Sequence, residues 1–131
     1  MASIKEVSER YDISQDTLRY YERIHLIPPV HRTPGGIRDY QKEDTKWVEF
    51  IKCMRSAGLS IESLIEYVAM FQEGDSTIAA RKELLLEQRN LLTKRMQEMK
   101  MTLERLNQKI EGYETRVLTG EKKLKRKEGN K

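Results

Sequence analysis

The stretch TLRYYERIHLIPP, Thr17 to Pro29, sets two adjacent tyrosines between arginines and closes on a double proline. Ser14 stands ahead of it as an N-cap, and Ile13 with Leu18 gives the apolar pair that staples a helix start. These signals predict a helix from about Gln15 to His25. On that helix Leu18 and Tyr21 share one face, joined by Ser14 at its N-terminal end, and Gln15, Asp16, Arg19, Tyr20 and Arg23 lie on the other side. Tyr21 is therefore expected to pack inward. Tyr20 points out between the arginines, with its hydroxyl in reach of a phosphate. Arg19 suits a bidentate grip on a phosphate or a guanine edge. Gln15, Asp16 and Thr17 occupy the start of the helix, where a recognition helix meets base edges. The bland alternative is a solvated face held by local pairs, but Arg19 and Arg23, four apart, repel each other, which is a poor arrangement for stability alone.

Upstream, Ser3 and Glu6 have the spacing of a capping box ahead of a short helix that runs to about Arg10. The segment YDIS then turns the chain, so two short helices joined by a tight turn form a helix-turn-helix. Downstream, Pro28 and Pro29 forbid continuation of the second helix. Val30–Arg32 and Ile37–Asp39 are short extended runs around TPGG, which predicts a small β-hairpin, a wing beside the second helix. Arg32 and Arg38 flank its turn, and Gly35 and Gly36 permit close approach of backbone to a phosphate strand. His31 has two readings, a phosphate donor or a simply exposed side chain. His25 closes the second helix, where a cation suits the macrodipole, and is assigned no functional role.

A third helix is predicted from Lys42 to Ser56, with Trp47, Phe50, Ile51 and Met54 spaced three and four apart. Gly58 suits its C-terminal cap, Ser60 caps the next helix, and Leu59 with Leu64 repeats the staple. The fourth helix runs to about Phe71, and QEGDST links it to the C-terminal part of the chain. From about Thr77 the period changes. Ile78, Leu85, Leu92, Met99, Leu106 and Tyr113 fall seven apart, and Met96, Leu103, Ile110 and Val117 fill the alternate heptad position. Lys82 and Arg89 are polar in that second position, so the seam is best from Leu92 onward. Such a repeat predicts a coiled coil whose partner is a second chain. The competing reading folds the stripe back on the N-terminal helices. The expected organisation is mostly α: residues 1–72 a winged helix-turn-helix, 73–77 a linker, 78–118 a dimerisation helix, and 119–131 a basic, disordered tail. The proposed seam contacts are Leu85, Leu92, Met96, Met99, Leu103, Leu106, Ile110 and Tyr113.

The charge of +4 is misleading as a nucleic-acid signature. Residues 1–120 hold 19 Lys and Arg and 19 Asp and Glu, so the whole excess sits in EKKLKRKEGNK at the end. Any anion-binding surface in the folded part must come from local placement. The basic tail has two readings, a contact with a polyanion such as DNA or a solubilising extension. No apolar run is long enough to span a membrane, and MASIKEVSER lacks the apolar core of a signal peptide. With a single cysteine, Cys53, and so no internal disulfide, a cytoplasmic protein is expected. No nucleophile and base fall at a catalytic spacing, so no enzyme is expected.

The segment IKEVSERYDISQDTLRYYERIHLIPPVHRTPGGIRDYQKEDTKWVEFIKCMRSAGLSIESL resembles the DNA-binding domain of the MerR family of transcription regulators over about Ser3 to Phe71. TLRYYE, a Gly-rich wing and MRSAGLS make a specific combination. The resemblance implies a winged helix-turn-helix homodimer on an antiparallel coiled coil, in the bacterial cytoplasm and associated with the nucleoid. It implies binding to a pseudo-palindrome in double-stranded promoter DNA with an overlong spacer, which the dimer bends and untwists so that RNA polymerase, reached only through the DNA, engages both elements. It maps Thr17, Arg19, Tyr20, Tyr21, Arg38 and Tyr40 onto positions that contact DNA or support the contacts, and leaves open whether Tyr21 contacts or packs. Two residues depart from the pattern. His25 stands where a glycine follows the recognition helix, and Ile37 stands where a wing tyrosine is common, so one phosphate contact is expected to be missing.

Metal sensors that the family comprises carry cysteines around the coiled-coil helix. Residues 77–117 hold no Cys and no His, so no metal or cofactor is expected. Only a short basic tail follows Val117, so a separate drug-binding domain is not expected either. Cys53 resembles the single cysteine of the NmlR/AdhR-like subgroup, which responds to reactive aldehydes and other small electrophiles. Lys52 and Arg55 lie beside it in sequence, where bases lower a thiol pKa. The opposing reading makes Cys53 a small core side chain, one turn from Phe50 and Ala57. A coiled-coil scaffold with an N-terminal protein-binding module, and a regulator without thiol sensing, are the other functional alternatives.

Overall fold

Three of the helices begin on serine caps where the sequence places them. Ser3 Oγ accepts the Glu6 N–H at 3.2 Å, Ser14 Oγ that of Thr17 at 3.0 Å, and Ser60 Oγ that of Ser63 at 3.2 Å. Each satisfies one of the amide donors that a helix start leaves orphaned. The computed structural model describes residues 1–120, and the elements in order are α1 (Ile4–Tyr11), α2 (Gln15–Arg23), α3 (Lys42–Ser56), α4 (Ile61–Glu73), a single 3₁₀ turn (Asp75–Thr77) and α5 (Ile78–Ile110). The expected tail lies outside the described residues from 121 onward. The chain divides into two units, residues 1–92 and the remainder from Thr93.

The first unit is built on a core that includes Val7, Leu18, Leu26, Ile27, Val48, Ile51 and Leu64. Helix α2 stops at Arg23, two residues before the sequence expectation. The reason is His25, which takes a left-handed φ of 65°. Its N–H donates to Glu22 O and that of Leu26 to Tyr21 O at 2.9 Å, the paired bonds of a Schellman cap. A non-glycine residue in this conformation costs about 1 kcal/mol. Gly58, with φ 88°, closes α3 by the same pair of bonds without that cost.

The wing is smaller than the predicted hairpin. Among the described residues there is no strand, only two antiparallel bridges, Arg32 with Arg38 and Ala2 with Tyr40. The Thr33 N–H donates to Ile37 O at 2.8 Å and the Gly36 N–H to Thr33 O at 2.9 Å, so the loop folds as a tight turn followed by a left-handed residue. Gly36 is that residue, with φ 86°, whereas Gly35 keeps a negative φ and needs no glycine for its backbone. Pro28, Pro29 and Pro34 lack amide donors, which leaves the arms too short for a longer ladder. Residue 2 supplies the outer pairing: Ala2 N–H to Tyr40 O at 2.9 Å and Tyr40 N–H to Ala2 O at 2.7 Å.

Helices α3 and α4 meet through aromatic rings. Trp47 stands edge-on to Phe50 and Phe71, with ring centroids 6.0 and 5.0 Å away. Gly74, at φ 104°, breaks the chain after α4. Thr77 Oγ1 lies 2.6 Å from Met70 O and 2.7 Å from Gly74 O and tethers the turn that leads into α5. In the first turns of α5, Leu84 is the buried side chain, and the seam residue Leu85 is only half-buried.

In the second unit, Met96, Met99, Leu103, Leu106 and Ile110 are all exposed on α5. The heptad reading carries one unbroken helix to residue 118, but α5 ends at Ile110 and residues 113–120 form a separate helical stretch. Gly112 makes the break by turning left-handed at φ 67°. Arg116 Nη2 then covers the carbonyls of Gln108 at 3.1 Å and Glu111 at 2.8 Å. Tyr113, assigned to the same seam, lies beyond the break.

Candidate nucleic-acid interface

Helix α2 presents the outward set that its sequence announces. The expected repulsion between Arg19 and Arg23 is relieved locally. Arg19 turns toward the helix start, where Nη1 meets Asp16 Oδ1 at 3.0 Å and Nη2 donates to Gln15 Oε1 at 3.4 Å. Arg23 lies over the Tyr20 ring, 5.4 Å from its centroid. All of these contacts are solvent-screened, worth a few tenths of a kcal/mol each, so they orient the side chains without locking them. Ser14 Oγ, besides capping, donates to Thr17 Oγ1 at 2.7 Å. Tyr21 is half-buried against the core, and burial raises its hydroxyl pKa above 10.0, opposed by Arg55. Packing against the core thus accounts for one side of Tyr21, and its other side remains in solvent.

The residue that joins α2 to the wing did not stand out in the sequence. Glu22, on α2, is 13% exposed and holds three groups of the wing segment. Its Oε1 accepts Arg38 Nε at 2.7 Å and lies 3.6 Å from Arg32 Nη2, and its Oε2 accepts the Val30 N–H at 2.9 Å. Arg32 Nη1 also donates to Gly36 O at 3.0 Å. A carboxylate this enclosed must be paired to be tolerated. The helical spacing contained the signal: Glu22 comes four residues after Leu18 and so shares its inward face. Arg38, expected on the DNA, also links helix and wing through this bond.

His31 also has a partner that its sequence position did not announce. Its side chain is half-exposed, yet Nδ1 lies 2.8 Å from Asp44 Oδ2 on α3. The same Asp44 oxygen accepts the Gln41 N–H at 2.8 Å and so caps α3 as well. The Asp44 hydrogen bond and its charge raise the His31 pKa above 6.5, with smaller help from Glu43 and Asp39. His31 therefore ties the root of the wing to α3. Tyr40, expected to contact or support DNA, is buried at 1% exposure, and its hydroxyl meets no hydrogen-bond partner among the described residues. Burial raises its pKa above 10.0.

Of the two readings of Cys53, the core side chain does not fit, because the residue is exposed on α3. The two bases beside it in sequence are engaged elsewhere. Lys52 Nζ donates to Tyr11 O, and Arg55 Nη1 donates to Leu59 O at 2.6 Å. A groove of about 410 Å³ opens along Trp47, Phe50, Tyr67 and Phe71 toward Pro29 and His31. No group of three or more His, Cys, Asp or Glu side chains suited to a metal occurs among the described residues, and no described helix is long and apolar enough to cross a membrane.

Residues 2–70 match the MerR HTH family regulatory proteins, and residues 45–109 match the family described as MerR, DNA binding. The HTH-type transcriptional regulator AdhR of Bacillus subtilis is 58% identical over 90 residues, which span 69% of this chain and 64% of that protein. The Bacillus subtilis regulator YyaN is 41% identical over 50% of this chain, and the match covers 48% of its own length. Among solved structures, a regulator of Listeria monocytogenes assigned to the MerR family superposes with a TM-score of 0.85 at 47% identity, covering 99% of this chain and 98% of that one. HiNmlR, a MerR family regulator lacking the sensor domain and bound to promoter DNA, superposes with a TM-score of 0.81 at 27% identity, covering 90% of this chain and 94% of that one.

Proposed function

Because the chain belongs to the MerR family of helix-turn-helix regulators, we propose that it acts in the cytoplasm as a homodimer that binds a pseudo-palindromic operator in promoter DNA and switches transcription by distorting that DNA. The observation that carries this reading is the outward face of α2 set beside a wing fastened by Glu22. Gln15, Asp16, Arg19, Tyr20 and Arg23 stand on one outward face, with Thr17 beside them at the helix start, and the helix and wing are joined by the bonds from Val30, Arg32 and Arg38. A scaffold has no use for this pairing. A reader of DNA needs it, since a fixed helix-to-wing angle sets how both elements meet one duplex. Tyr21 and Tyr40 support that face from inside. The exposed stripe of Met99, Leu103 and Leu106 on α5 supplies the surface for a second copy, which pairs two reading heads at one spacing.

The test is binding of the full-length protein to duplexes selected from a random pool, and then titration with salt. A near-palindromic consensus and a steep fall in affinity with rising salt are expected, because phosphate contacts release counterions. Failure to enrich any duplex removes the reading.

Exposure of Cys53 favours a second element of the proposal, sensing of small aldehydes through its thiol. The sulfur bonds to the carbonyl carbon and the thiol proton passes to the carbonyl oxygen. Replacing Cys53 with Ser and measuring promoter output with and without formaldehyde or methylglyoxal decides it. Induction that survives in Cys53→Ser excludes the thiol.

A further inference from the structure

The wing directs its charge inward and its apolar tip outward. Arg38 is only 24% exposed, with Nε on Glu22, and Arg32 divides its guanidinium between Glu22 and the Gly36 carbonyl. Both arginines thus have partners within the protein, although Arg32 stays 44% exposed. What the turn presents instead is Ile37, 70% exposed and directly after the left-handed Gly36. The two glycines before it leave the turn open: a Cβ built on Gly36 would meet no atom within 4 Å, and one on Gly35 only Thr33 Oγ1 at 3.8 Å. A β-branched side chain on such a tip is stiff as well as exposed, so it loses little freedom on contact. An isolated exposed isoleucine is ordinary on a protein surface. This one stands beside the proposed reading helix, on a segment that three hydrogen-bonded or charged groups fasten to that helix.

We infer that Ile37 is an apolar contact residue for DNA: it packs against carbon surface of the duplex, while Arg38 holds the wing in position without touching a phosphate. This rests on the operator-binding reading above. The apolar surface has two possible sources, the deoxyribose faces that line a groove or the methyl group of a thymine. Both offer carbon and no charge, so the contact is insensitive to salt, whereas each lost phosphate contact lowers the slope of log affinity against log salt by about 0.9.

The experiment uses the full-length protein and the tightest duplex recovered from the random pool. Affinity is measured from low to moderate salt for wild type, Ile37→Ser and Arg38→Gln, and for wild type on the same duplex with deoxyuridine in place of thymidine. Ile37→Ser is expected to lose about tenfold at every salt concentration with an unchanged slope, as partial burial of an aliphatic side chain requires. Ile37 touches nothing in the core, so thermal melting of this variant should match wild type. Arg38→Gln is expected to keep the wild-type slope whatever affinity it loses. If deoxyuridine reproduces the Ile37→Ser loss, the methyl is the partner, and if it does not, the sugar faces are. An Ile37→Ser variant that binds as wild type, or an Arg38→Gln slope lower by about 0.9, overturns the inference while leaving the operator reading intact. A wild-type protein that enriches no duplex removes both.

Discussion

Residues 1–92 and the stretch from 93 to 120 handle apolar side chains in opposite ways. The first unit encloses Val7, Leu18, Val48 and Ile51 at 0% exposure, in a core shared by its four short helices. The second leaves Met99 at 70% and Leu106 at 54%, on a helix whose period is right for burial. Both obey the same rule, that apolar area gains by leaving water. They differ in where the covering surface comes from. Short helices joined by capped turns can fold onto each other, but one helix with a seven-residue repeat needs another helix of the same repeat. The first unit thus covers its own apolar side chains, and under the proposed dimer the seam is covered by a second copy.

The sharpest way to break this contrast is a paired charge in the seam. Leu103→Glu with Leu106→Glu should weaken self-association more than 100-fold, because four carboxylates would have to be buried in each dimer. Sedimentation equilibrium reads the loss, and the far-ultraviolet signal of the first unit should persist. A dimer that survives both charges would show that the stripe is not the interface. The mirror experiment is Leu18→Ala, which opens a cavity at a fully enclosed site and should cost about 3 kcal/mol of unfolding free energy by denaturant titration. Association of the molecules that remain folded should not change.

Next in size is a pH effect confined to the first unit. The His31 pKa is raised in the folded state by Asp44, so the pair stabilises most below about 6.5 and fades as pH rises through the elevated value. Wild type should therefore lose melting temperature relative to His31→Gln as pH rises above that point, and nuclear magnetic resonance titration should place the His31 midpoint above 6.5. A midpoint at or below it removes the tether. The smallest effect is expected at Tyr40. Its enclosed hydroxyl meets no partner among the described residues, so Tyr40→Phe should change stability by no more than about 0.5 kcal/mol, with operator affinity unchanged. A clear loss of affinity would restore the hydroxyl as a contact.

The range of the forces involved decides how legible each feature is in the sequence. Ser3, Ser14 and Ser60 cap within three residues, Gly58 closes a helix within its own turn, and the α3 boundaries Lys42 and Ser56 emerge as expected. The outward set on α2 is equally local, since four-residue spacing alone assigns its face. Two misses are local, at His25, which ends α2 early, and at Gly112, which breaks the long helix, and the others fall where a residue has a local option and a distant one. Arg38 and His31 stand on a wing whose sequence suggests free cations, and each is claimed by a carboxylate far along the chain, Glu22 at 16 residues and Asp44 at 13. Lys52 and Arg55 look like activators of Cys53 and instead reach backbone carbonyls.

Pattern and spacing by themselves determined where the helices begin, their serine caps, the inward and outward faces of α2 and the seven-residue stripe, because each depends on backbone geometry that repeats within a few residues. Tertiary structure alone decided which charges stay available. Once the chain has folded, Glu22 and Asp44 become enclosed, and an enclosed carboxylate takes whatever donors the wing brings to it, since leaving it unpaired costs more than immobilising the partner.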